Sequence, residues 1–95
     1  MKTQEAYKQK MAAQLNELDA GINLFEAKLV NAGADIRIRY AEDLQSLHAK
    51  RRAASEKMKE LENASGDAWE KLKEASDNLW DDLKAGIAEA HSKFK

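Results

Sequence analysis

Leu29-Val-Asn-Ala-Gly-Ala-Asp35 is the stretch on which the fold turns. Read as a helix end, it offers Gly33 as a C-terminal stop and Asp35 as the cap of a new helix. The chain then folds back. Read as helix interior, Gly33 costs only about 1 kcal/mol relative to alanine, and the helix runs on. Working outward, a single apolar stripe is legible on both sides. Upstream it comprises Tyr7, Met11, Leu15, Leu18, Ile22, Phe25 and Leu29, at steps of three and four, close to the heptad spacing of a coiled-coil seam. Leu24 and Val30 fall beside it and widen the apolar face. Downstream the stripe passes through Ala32, Ile36, Tyr40 and Leu44 in steps of four before Leu47. Such a run lengthens the local period toward the eleven-residue pattern. No phase jump occurs at Gly33, and Ile38 stands where a capping box after Asp35 would need Glu or Gln. The stretch therefore reads as helix interior.

A near copy, Leu61-Glu-Asn-Ala-Ser-Gly-Asp67, carries the stronger stop signal. Asp67-Ala-Trp-Glu70 has capping-box spacing, with Glu70 able to reach back to the cap amide. Ser65-Gly66 is accordingly the expected turn. Between Leu47 and Met58 no large apolar residue occurs, and the seam holds only Ala53, Ala54 and the stems of basic side chains. The last third, Asp67 to Phe94, restores a rich stripe: Trp69, Leu72, Ser76, Leu79 with Trp80, Leu83, Ile87, Ala90 and Phe94. Both tryptophans of the chain lie on or beside it.

These readings predict an all-α fold in one helical domain spanning residues 1–95. A long coiled-coil helix covers about 3–63, with 31–35 as its one place to break, and a shorter amphipathic helix covers 67–94. A helix of roughly 60 residues would be on the order of 90 Å long. It cannot cover its own seam, so it has to associate with other copies. The near-equal thirds leave a compact three-helix bundle as the alternative.

The composition suits long helices: no proline, four glycines, and 35% charged residues. Sixteen basic and 17 acidic residues interleave to a net charge of -1, which disfavours a nucleic-acid binder or a polyacidic tail. The absence of cysteine excludes a disulfide framework and thiol chemistry, and fits a reducing cytosol. MKTQEAYKQKM lacks the apolar core of a signal peptide, and no apolar run reaches membrane-spanning length. A cytoplasmic or peripheral protein is expected.

Candidate chemistry is sparse. His48 and His91 form neither a His-x-x-x-His pair nor the Glu-x-x-His pairing of di-iron bundles. No metal, cofactor or small-molecule substrate is expected, and carboxylates are abundant because helix faces are solvated. Lys50-Arg51-Arg52, with Arg37 and Arg39 before it, is the only basic cluster, and Glu42, Asp43 and Glu56 interrupt it. It reads as a solvated helix face rather than a nucleic-acid stripe. The terminal helix carries a sharper alternative. Lys73, Lys84 and Lys93 flank its apolar stripe while Asp67, Glu74 and Asp81 lie opposite, a layout suited to a lipid surface, where lysine stems snorkel. This pattern resembles the amphipathic helices of exchangeable apolipoproteins. Against it, the segment is net acidic, which weakens attraction to anionic membranes.

Tyr7-Lys-Gln-Lys-Met-Ala-Ala-Gln-Leu15, Leu61-Glu-Asn-Ala-Ser-Gly-Asp-Ala-Trp-Glu70, Leu79-Trp-Asp-Asp-Leu-Lys-Ala-Gly86 and the closing Ser92-Lys-Phe94 together resemble small bacterial coiled-coil proteins described as stress-response proteins. Those have a lysine- and glutamate-rich heptad region and a tryptophan-containing C-terminal helix. The resemblance implies a stress-associated cytoplasmic protein without a catalytic site. The expectation is thus a non-enzymatic, self-associating coiled-coil protein, with reversible lipid-surface binding as the alternative. Its interface anchors are Leu18, Ile22, Phe25 and Leu29 on the N-terminal seam. On the C-terminal face they are Trp69, Leu72, Leu79, Trp80, Leu83 and Ile87.

Overall fold

Alanine, glutamine, glutamate, lysine and leucine, all good helix formers, make up most of the first helix, α1, which runs over Thr3–Ala32. The computed structural model describes residues 3–94. Thirty residues span roughly 45 Å at 1.5 Å each. The whole molecule measures 50 × 21 × 18 Å. One helix of α1's length therefore fills the long axis, and the rest of the chain must double back beside it.

It does so at Gly33. The all-α expectation holds, and of the two architectures the chain adopts the three-helix bundle. The continuous helix through Gly33 is corrected: that residue has φ 109° and ψ 171°, a region in which essentially only glycine is found. An in-phase stripe fixes which face is apolar but not the direction in which the backbone leaves. A six-residue helix, α2 (Ala34–Arg39), follows Gly33. Tyr40, at φ -104° and ψ 10°, departs slightly from helix between α2 and the next helix. Helix α3 then runs over Ala41–Asn63 and α4 over Gly66–Lys93.

The turn at Ser65-Gly66 lies where expected, but the cap does not. Ser65 is the N-cap of α4, with no side-chain hydrogen bond to the helix. The expected Asp67–Glu70 box is displaced because α4 starts at Gly66 with Ser65 as its cap, so Asp67 already lies inside the helix.

Cross-helix contacts fix the directions. Asp19 meets Arg51 at 3.2 Å and Glu26 meets His48 at 3.7 Å, so α3 is antiparallel to α1. Lys50 meets Asp82 and Lys93 meets Asp43, so α4 is antiparallel to α3 and parallel to α1. Two glycines let the axes close in. A Cβ on Gly21 would lie 3.1 Å from Ile87 Cγ2, and one on Gly86 would lie 3.3 Å from Leu47 Cδ2.

The core follows the stripes. Met11, Ile22, Phe25 and Leu29 of α1 meet Leu47 and Ala54 of α3 and Trp80, Leu83, Ile87 and Ala90 of α4. Burying each large member fully stabilises the fold by about 1.5–3 kcal/mol. The weak part of the α3 seam has a physical reason. The α3–α4 register, Leu47 beside Gly86 and Lys50 beside Asp82, sets the fully buried Ala54 level with Trp80. A small residue there leaves space for the indole, the alternation of sizes that lets facing helices interdigitate.

Candidate interaction faces

The ten anchor residues read from the sequence converge within one chain. Ile22, Phe25, Leu29 and Leu83 have no exposed surface, and Trp69, Trp80 and Ile87 are buried. Leu18 and Leu79 are half-buried against this core, and Leu72 is half-buried on α4. In the closed bundle the N-terminal seam and the C-terminal face cover each other and α3. Large apolar side chains remain uncovered at Leu24 (54% exposed), Val30 (53%) and Ile38 (75%). All three fall between residues 24 and 38, on the second half of α1 and on α2.

Polar side chains join the helices at both ends. Near the start of α1, the Tyr7 hydroxyl donates to Asp77 Oδ1 at 2.6 Å and lies 3.1 Å from the carbonyl oxygen of Lys73. Burial pushes the phenol's pKa well above its usual value, and the hydrogen bond and negative charge of Asp77 push the same way. Tyr7 also packs edge-on against Trp69 with ring centroids 5.5 Å apart. Lys73 lies 5.6 Å from the Tyr7 ring and Lys8 5.7 Å from the Trp69 ring. In mid-bundle, the indole N–H of Trp80 donates to the carbonyl oxygen of Met11 at 3.0 Å, in a buried setting. Ser76 is fully buried, and its hydroxyl has no hydrogen-bond partner.

At the opposite end, three aromatic rings close the α1–α3 connection. Phe25, Tyr40 and Phe94 meet edge to face at centroid distances of 6.1, 6.2 and 5.7 Å. The Tyr40 hydroxyl donates to the carbonyl oxygen of Lys93 at 2.9 Å. Sequence reasoning placed Tyr40 on the stripe but missed this triangle. Its only signal was an aromatic on the seam shortly after a glycine and another at the end of the last helix.

Both histidines lie between helices. His91 Nε2 is 3.0 Å from the carbonyl oxygen of Gly21, and Nδ1 is 3.2 Å from Lys28 Nζ. A carbonyl only accepts, so Nε2 carries the proton and Nδ1 receives a hydrogen from the lysine. His91 thus ties α4 to α1, and its ring packs edge-on against Phe25. His48 faces Glu26. Among the described residues, no group of three or more His, Asp or Glu side chains is placed to hold a metal ion. The basic cluster is divided in space as well as in sequence: Lys50 pairs with Asp82 and Arg51 with Asp19. Two clefts are grooves between helices. One lies against Leu18 and Trp80 and another beside Tyr7 and Trp69, both along the α1–α4 seam. No described helix is long and apolar enough to cross a membrane. Comparison with protein-family models, with curated proteins and with solved structures found no match.

Proposed function

We propose that this is a non-enzymatic protein that works by self-association, burying helix faces between copies. One observation carries the reading. Among the described residues, the large apolar side chains left uncovered, Leu24, Val30 and Ile38, all fall on the second half of α1 and on α2. Single exposed apolar residues are ordinary, and three along one stretch offer apolar surface that a second copy would cover. The polar side chains that could suggest chemistry, Tyr7, His48 and His91, are each occupied in joining one helix to another. The stress-associated role rests on the sequence resemblance alone. Lipid-surface binding through α4 has less support, because Trp69, Trp80, Leu83 and Ile87, the residues that would enter the lipid, are turned into the bundle.

The test replaces the uncovered residues together, Leu24→Gln, Val30→Gln and Ile38→Gln. All three are exposed in the closed bundle, so the melting temperature of the monomer should change little, by about 0.5 kcal/mol or less per site in stability. The mass by light scattering should fall toward 10.7 kDa. A variant that keeps the native mass would defeat the reading.

A further inference from the structure

Between Thr3 and Asn63 only Gly33 and Tyr40 stand outside a helix. Tyr40 departs little. Its amide donates to the Ile36 carbonyl at 3.1 Å, and its carbonyl accepts from the Leu44 amide at 3.0 Å, both bonds of a continuous helix. At Gly33 the carbonyl already accepts from the Arg37 amide at 3.1 Å, again the helical partner. Straightening α1, α2 and α3 into one helix thus needs a backbone rotation at one glycine, the residue type that moves most freely between such states, and a small adjustment at Tyr40. The stripe from Leu29 through Ile36, Tyr40 and Leu44 is already in phase for it. Helix α2 has no fully buried residue, and only Ile36, with the adjoining Tyr40, packs partly against the core. The α3–α4 connection differs. Ala64 and Ser65 are both extended and Gly66 has positive φ, three successive departures from the helix. Helix α4 also packs more extensively on α3 than on α1.

We propose that Gly33 is the hinge of an exchange in which two copies trade α1: each chain straightens over α1–α2–α3, keeps its own α3–α4 pair, and lays α1 against the partner copy's α3 and α4. This inference rests on the self-association reading and gives it a geometry. A straightened chain leaves the ridge of α1 bare, and a second copy related by a two-fold axis covers it with the surfaces the closed bundle uses. The Asp19–Arg51 and Glu26–His48 pairs, the Tyr7–Asp77 bond and the Trp80–Met11 bond all re-form between chains. The two-fold closes the assembly at two copies, because the exchanged surface is self-complementary. Short strained hinges favour such exchange, and lengthening them disfavours it.

Two measurements test it on the full chain. Alanine does not take the backbone angles of Gly33, yet its Cβ would meet nothing within 4 Å, so Gly33→Ala acts on the hinge alone. Dimer should form at roughly tenfold or more lower concentration than for the native chain, from strain lost at each hinge. The chain has no native cysteine, so two single-cysteine chains, Asp19→Cys and Arg51→Cys, can be mixed and treated with a short bis-maleimide. Exchange predicts a covalent heterodimer, and inserting two glycines after Gly33 should abolish it while leaving the helix signal intact. A dimer by mass without this cross-link overturns the exchange but leaves self-association standing. A monomer under every condition, Gly33→Ala included, overturns both. If Gly33→Ala does not fold, the cross-link decides, because those chains keep the native hinge.

Discussion

Tyr7 keeps its proton because burial and Asp77 both disfavour the phenolate. The raised folded-state pKa gives the stability effect a definite sign. Below the ordinary phenol value near 10, Tyr7 is neutral in folded and unfolded chains, and its contribution is fully present. Above that value the unfolded chain releases the proton while the folded chain holds it, so stability falls as pH rises. Tyr7→Phe removes the 2.6 Å hydrogen bond to Asp77 and should cost about 1 kcal/mol at neutral pH. The gap between native and variant should then narrow above about pH 10. Urea unfolding of both chains from neutral to alkaline pH checks this, and a gap that stays constant would contradict the assignment. Gly33 teaches a different lesson at the same scale. Its neighbours are in phase on both sides, and phase reports side-chain direction only. The φ of 109° that reverses the chain leaves no trace in the spacing of apolar residues.

Helix α4 was legible at the scale of the element because its stripe is dense and both tryptophans lie on it. Of its stripe, Trp69, Ser76, Trp80, Leu83, Ile87 and Ala90 are buried, and Leu72 and Leu79 are half-buried. Helix α1 was legible for the same reason, through Met11, Ile22, Phe25 and Leu29. The middle of α3 was not, since a seam of alanines reads as a weak seam until the partner helix is known. Ala54 is fully buried at the level of Trp80, so the missing bulk on one element is supplied by the other. Ala54→Leu would strengthen the stripe on sequence grounds alone. It should instead overpack the space beside the indole and lower stability by about 1–3 kcal/mol, read from thermal unfolding. A variant that melts higher than the native chain would mean that the register placing Ala54 against Trp80 is wrong.

For the whole molecule, a ridge covered by its own chain and a ridge covered by another copy share one sequence pattern. Leu18, Ile22, Phe25 and Leu29 satisfy either, which is why their burial was legible and what covers them was not. Connection geometry settles what the closed form looks like: the break at Gly33 keeps the long axis at 50 Å, about half the length of an unbroken helix over the same residues. The same connection leaves Val30 and Ile38 uncovered on either side of Gly33. The most direct measurement is the mass of the native chain by light scattering over a wide concentration range. Self-association predicts a rise from 10.7 kDa toward twice that value. A mass that stays at 10.7 kDa up to the highest concentration reached would contradict it.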